Sequence, residues 1–329
     1  MKGLLSKRQL DALKRLGGLI FNFPKLLSSG SIVKLITSIV IFTQVCGALL
    51  FDTPTQPGGP QLDMSKFVLT WSDEFNEGTF NKTYWSGHYC WGDDGTWPRD
   101  TAYWNRGQVS FRDGNLIMKA SYLENGPVGP EGPDGPAYYS YGMDTNPWTD
   151  GQTKPGFEQL YGYFEMRCIL PKGVGLNPAF WLLSDGMFNT DPDVGLTDGG
   201  VTGAEIDVFE TRYNPGKLGF HKNSVYHTIH VDSYDEYHRS EMQGHFYAKN
   251  PHEEYNTYGF EWNENEYIFY INGVETARTD FGGVCQVPLY LIISLGVGEN
   301  IGDNKELPAE FIVDYVRAYQ YNDRIADAG

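Results

Sequence analysis

Six residues, Glu205-Ile-Asp-Val-Phe-Glu210, set three carboxylates within one short apolar run. Charged side chains rarely occupy a sheet face without a partner or a task. In a regular strand Glu205 and Asp207 share one face, and Glu210, five positions on, points to the other. One inserted residue, a β-bulge, would turn Glu210 back beside the first two. The three would then offer the paired carboxylates of a retaining glycosidase, a nucleophile and an acid/base, with a third acid between them. The same spacing also describes a solvated acidic edge strand, so the rest of the chain must separate the two.

The elements that must hold these residues read as strands. Short runs with two-residue alternation recur at 67–71, 108–111, 116–121, 162–170, 178–183, 205–209, 225–231, 257–262, 267–271, 289–295 and 311–319. Asp113-Gly114 and Asn272-Gly273 are hairpin signals between such runs. With no long amphipathic helix after the N-terminal leader, the pattern predicts a β-sandwich or barrel. Residues 123–160 break the rhythm. Gly126, Gly129, Gly132 and Gly135 fall in a collagen-like register too short for a triple helix, and the stretch reads as a surface loop. A second loop, 184–203, directly precedes the acidic run and reads as a cleft wall.

Aromatic residues form 15% of the 329-residue chain, which suits an all-β domain and sugar stacking, although core packing accounts for many of them. Residues 1–51 carry seven Lys/Arg and one acid, hence +6, whereas the remainder carries 18 and 41, hence −23. Such an acidic body repels nucleic acid and heavily sulfated polyanions, so a neutral polymer is the expected partner. Seven basic residues precede a 17-residue apolar run at 35–51, diluted by Thr37, Ser38, Thr43 and Gln44. Positive charge before an apolar run predicts a cytosolic N-terminus and an exported body. The leader reads as a signal peptide or as a type II signal-anchor, the only expected membrane contact. The expected order is leader 1–51, linker 52–62, catalytic domain 63–322 and tail 323–329. Cys90, Cys168 and Cys285 allow at most one bridge within the main domain, and no Cys/His spacing suggests zinc. Asn81-Lys-Thr83 is a glycosylation sequon for a host that glycosylates.

Further blocks accompany the acidic run in a fixed order: Tyr161-Gly-Tyr-Phe-Glu-Met-Arg-Cys-Ile-Leu-Pro171, Gly175-Leu-Asn-Pro-Ala-Phe-Trp-Leu-Leu183, Thr257-Tyr-Gly-Phe-Glu-Trp262, Phe269-Tyr-Ile-Asn-Gly273 and Val313-Asp-Tyr-Val-Arg-Ala-Tyr319. Together they closely resemble glycoside hydrolase family 16, in its laminarinase-like branch, whose Glu-x-Asp-x-x-Glu motif carries the bulge. The resemblance covers residues 66–320. It implies a β-jelly-roll sandwich of two antiparallel sheets with a concave substrate cleft. It also implies Glu205 as nucleophile, Glu210 as acid/base and Asp207 as the supporting carboxylate. Two carboxyls about 5 Å apart oppose each other's ionisation, which suits one charged and one protonated partner. By the same resemblance Trp181 lies near the cleaved sugar and His230 near the acid/base, while His227 falls on the opposite strand face. Trp91, Trp97, Arg99 and Trp104 belong to the region that serves the glycone side, with Trp97 and Trp104 as stacking platforms and Arg99 as a hydroxyl donor. Glu74 and Asp314 fall in blocks that hold a structural calcium in many members; otherwise no cofactor is implied.

Two departures stand out. Asn177 occupies a position where many laminarinases carry Trp, and Arg99-Asp-Thr-Ala-Tyr103 replaces a glucose-binding Asn-Glu-Leu-Gln-type block. Both are expected to touch substrate recognition and not the bond-breaking carboxylates. The resulting expectation is an exported, monomeric, endo-acting retaining hydrolase of β-1,3- or mixed β-1,3/1,4-glucan. The same chemistry on an unsulfated galactan such as agar, transglycosylation, and a non-hydrolytic β-glucan-binding protein are the alternatives.

Overall fold

A computed structural model of the chain describes residues 54–86, 98–99, 101–126, 136–146, 156–188, 199–211, 223–298, 301 and 306–326. The basic leader with its apolar run, most of the collagen-like stretch and the middle half of the loop at 184–203 lie outside the described residues. Among the described residues no helix is long and apolar enough to cross a membrane. These residues form β1 (Phe67–Asp73), β2 (Pro98–Arg99), β3 (Ala102–Trp104), β4 (Val109–Arg112), β5 (Asn115–Leu123), β6 (Ala137–Asp144), β7 (Glu158–Gln159), β8 (Gly162–Ile169) and β9 (Leu176–Leu183). They continue with β10 (Glu205–Glu210), β11 (Ser224–Val231), β12 (Arg239–Tyr247), β13 (Asn256–Trp262), β14 (Tyr267–Ile271), β15 (Val274–Thr279), β16 (Leu289–Val297) and β17 (Ala309–Tyr321).

Two antiparallel layers result. In one, β12, β11, β10, β9 and β16 lie side by side, and β16 then pairs with β7 and β6 along its outer edge. In the other, β15, β14, β13, β8 and β17 follow one another, with β1 and β5 sharing the far edge of β17. The β5–β6 pairing joins the layers at one side, which nearly closes the sheet and matches the expected jelly-roll layout. Between the layers lies the core, in which Phe164, Phe180, Phe209, Phe260, Phe311, Leu182, Ile206 and Ile293 are fully buried. Strand β16 is buried along its whole length because both its faces are covered. The core lies on one side of it, and on the other a smaller cluster contains Trp104, Ala179, Trp181, Leu183, Met187, Tyr290 and Ile292.

All eleven expected strands are present, with ends within two residues of the sequence reading. Asn272 and Gly273, at φ 52° and 73°, make the tight turn between β14 and β15 that their types suggest. The surface-loop reading of 123–160 fails at its centre. Ala137–Asp144 is strand β6, buried without a break from Tyr139 to Asp144, with Tyr139, Tyr141 and Met143 at alternate positions. Gly, Pro and Asp on both sides masked the period-2 signal of that short aromatic run. Strands β2, β3, β7, β12 and β15 were also unanticipated. In β12 the residues are mostly exposed, so no apolar alternation marks it. Residues 55–62, expected as a linker, run along β12 and β15. The Thr55 N–H donates to the His245 carbonyl at 2.7 Å, and the Leu62 N–H to that of Gly273 at 2.8 Å.

Candidate active site

The acidic strand lies between β9 and β11, and both neighbours record the bulge. Glu205, Asp207 and Glu210 pair with Leu183, Trp181 and Ala179 on β9, two residues apart each time. On β11 their partners are His230, Thr228 and Tyr226, again two apart. Paired residues in a ladder share a face, so an even step on both neighbours puts all three carboxylates on one face despite the odd spacing. The extra residue is absorbed at Val208–Phe209, and both of those side chains are fully buried in the core. The bulge inferred from spacing is therefore a feature of the strand.

On this outer face, side-chain exposure falls from His230 (19%) through Glu205 (12%) to Asp207 (4%), so the middle acid is the most enclosed. His230 Nε2 stands 3.3 Å from Asp207 Oδ2 and 3.9 Å from Glu205 Oε1. One ligand atom from each of the three lies within 4.8 Å of the others. Below them Trp181 and Trp104 form a floor and are 4% and 5% exposed. The Trp181 indole N–H donates to Ser294 Oγ on β16 at 3.1 Å, which fixes the ring plane. Trp104 packs against Gly142, where any Cβ would come within 1.6 Å of its ring. Expected as a stacking platform, Trp104 is packed into the floor instead of standing free.

The two histidines of β11 separate by face, as strand parity requires. His227 is buried on the core side, stacked on Phe246 and Phe269. Its Nδ1–H donates at 2.5 Å to the Val208 carbonyl, the backbone group displaced by the bulge, and its Nε2 meets Thr276 Oγ1 at 2.9 Å. Burial pulls its pKa down to about 4. His230, on the carboxylate face, has its Nδ1 2.8 Å from His238 Nε2. Burial, followed by the charge of His230, holds His238 below its usual value.

Asn177 is the main surprise. Its Nδ2 donates to Glu210 Oε1 at 3.2 Å, so this departure from the laminarinase pattern touches a carboxylate of the acidic strand directly. The pairing of β9 with β10 stops at Ala179, so the missing N–H of Pro178 breaks no ladder bond on that side. Arg99 lies in β2, paired with Ala102, and Trp97 and Trp91 lie outside the described residues. The proposed calcium ligands are occupied otherwise. Glu74 takes two hydrogen bonds from Arg317, each 2.8 Å, and Asp314 is paired with Arg167. A cation there would have to displace two guanidinium groups, and the donor set does not fit it. Cys168 and Cys285 are buried free thiols, while Cys90 lies outside the described residues.

His238, Ser294 and the inward role of His227 were missed by sequence reasoning. His238 follows His230 by eight residues across a turn, and no periodic signal brings their rings together. For His227 the parity argument gave the face but not the bulge carbonyl it meets.

Comparison with known proteins follows the same lines. The model of the glycosyl hydrolases family 16 matches residues 99–306. Glucan endo-1,3-β-glucosidase A1 of Niallia circulans is 30% identical over 302 residues, an alignment covering 82% of this chain and 39% of that protein. The chain thus spans well under half the length of that relative. Among solved structures, a non-specific endo-β-1,3(4)-glucanase superposes with a TM-score of 0.61 at 22% identity, covering 82% of this chain and 98% of its own. A κ-carrageenase from Zobellia galactanivorans gives 0.58 at 21%, covering 82% and 99%. At these identities the likeness concerns the fold. A glucanase and a carrageenase fit almost equally well, so the fold leaves the polymer open.

Proposed function

Because this chain belongs to the glycosyl hydrolases of family 16, we propose that it is an endo-acting retaining glycosidase of β-1,3- or mixed β-1,3/1,4-glucan. The observation that carries the chemistry is the bulged strand, which brings Glu205, Asp207 and Glu210 to one face above a tryptophan floor. In the first step Glu205 attacks the anomeric carbon. The new carbon–oxygen bond forms as the glycosidic bond breaks, and Glu210 passes its proton to the departing oxygen. In the second step Glu210 takes a proton from water, the water oxygen bonds to the same carbon, and Glu205 leaves. Two inversions give net retention. Asp207, enclosed between them and 3.3 Å from His230 Nε2, fixes the geometry and charge around the nucleophile. Two carboxyls suffice for this route, so no cofactor is required.

The choice of glucan rests on the Niallia circulans relative and on the −23 charge of the body, which favours a neutral polymer. The proposal includes action as a monomer and export. Seven basic residues before the apolar run at 35–51 support either a cleaved signal or a type II anchor, with the catalytic body outside the cytosol.

The test is an assay of the purified chain on laminarin, lichenan, agarose and xyloglucan beside Glu205→Gln, reading product size and anomeric configuration. Internal cleavage of laminarin or lichenan with retained configuration is expected, with activity of the variant reduced by at least about a thousandfold. Cleavage of agarose alone would replace the glucan with a galactan. Inverted products would overturn the roles of Glu205 and Glu210, and products longer than the substrate would make the enzyme a transglycosylase. Activity on none of the four would end the enzyme reading.

A further inference from the structure

We propose that Asn177 is a positioning residue for the acid/base carboxyl, an inference that rests on the role given to Glu210 above. Three observations support it. Asn177 shares the outer face of β9 with Ala179, the register partner of Glu210, so its amide stands beside that carboxyl. Its Nδ2 donates to Glu210 Oε1 at 3.2 Å. Its other amide atom, Oδ1, is buried with no hydrogen-bond partner among the described residues.

The donor is neutral, and that matters for a group that must exist in two states. Glu210 has to be protonated to release the leaving group and ionised to activate water. An arginine in place of Asn177 would hold the carboxylate charged, and an acid would oppose its ionisation. An amide N–H suits both states, because either form of the carboxyl can accept it on Oε1. It also selects the oxygen that carries the proton. The carbonyl oxygen of a protonated carboxyl is its better acceptor, so Nδ2–H directed at Oε1 favours Oε1 as that carbonyl. The acidic proton therefore resides on Oε2, from which it can pass to the glycosidic oxygen. Packing gives no reason for the amide, since an acceptor left buried and unmet is unfavourable. A leucine of similar size would fill the same space without that cost.

The role separates from simple structural damage by leaving group. A dinitrophenolate departs without protonation, so its release does not need the acid, whereas a sugar alkoxide does. Both substrates need Glu210 as base in the second step. Asn177→Leu and Asn177→Ala, with Asn177→Ala as the alternative should leucine misfold, are assayed on laminarin and on 2,4-dinitrophenyl β-laminaribioside. On laminarin, kcat/KM is expected to fall about tenfold or more. On the aryl glycoside, kcat and KM are expected to fall together, so that their ratio changes less than about twofold. Azide, which attacks without a base, should then restore kcat on the aryl glycoside and yield the glycosyl azide. Equal loss of kcat/KM on both substrates, or no loss on laminarin, would overturn the inference. Wild-type protein that turns over neither substrate would overturn the glucanase reading and this inference with it.

Discussion

His230 gives its two ring nitrogens different tasks, and the second task depends on a residue outside the acidic strand. Its Nε2 faces the carboxylates, 3.3 Å from Asp207 Oδ2. Its Nδ1 shares a hydrogen bond with His238 Nε2 at 2.8 Å. The two rings lie parallel within 2°, and Tyr234 borders both. His238 thus holds the orientation of the His230 ring and, through it, the nitrogen that faces the carboxylates. Replacing His238 by Phe keeps a ring but removes the hydrogen-bonding nitrogen. Loss of one hydrogen bond of about 1 kcal/mol corresponds to roughly a fivefold fall in kcat/KM. A value within error of wild type would mean that Asp207 alone holds the His230 ring.

At the scale of the element, the bulge in β10 is what makes the carboxylates usable, and a bulge leaves a backbone carbonyl out of the ladder. His227 meets that carbonyl from the core side, at Val208. Because it is buried, its pKa is about 4 in the folded chain against 6.5 when free. Between those values the unfolded chain binds the extra proton, so stability rises with pH there. This contribution is complete above pH 6.5 and is lost as pH falls toward 4, an amount of about 3 kcal/mol. His227→Gln keeps a donor for Val208 but does not titrate. Urea midpoints measured from pH 7 to 4 should decline less steeply in the variant than in wild type. Parallel declines would assign the acid sensitivity to other groups.

For the molecule as a whole, the far layer is closed by charge pairs and tyrosines. Glu74, just beyond β1, is clasped by Arg317 of β17, which holds its carboxyl below the usual range. Glu261, nearly buried, takes the hydroxyls of Tyr270 at 2.7 Å and Tyr321 at 3.0 Å. These contacts account for acids that the sequence offered as cation ligands or left unexplained. With Glu74 and Asp314 both engaged by arginine, millimolar calcium or its chelation should shift Tm by no more than about 1 °C. A rise of several degrees on adding calcium would show that the carboxylates release their arginines. Glu74→Gln should cost less than about 1 kcal/mol in a denaturant titration, since the pair is partly exposed.

Period-2 alternation made most strands legible, because burial of one face imposes it residue by residue. It failed at β6, hidden among glycines and prolines, and at β12, where little is buried. The acidic motif was legible in the same way. Its odd spacing conflicts with strand parity, and only a bulge resolves that conflict, so Glu205, Asp207 and Glu210 could be grouped from the sequence itself. What surrounds them could not. The Asn177 contact with Glu210, the His230–His238 pair, and His227 behind Val208 each join residues on different strands or across a turn. Local periodicity determines which face a side chain takes. Register between strands and the path of the turns determine which other side chain it meets, and those are set by the packing of the whole sandwich.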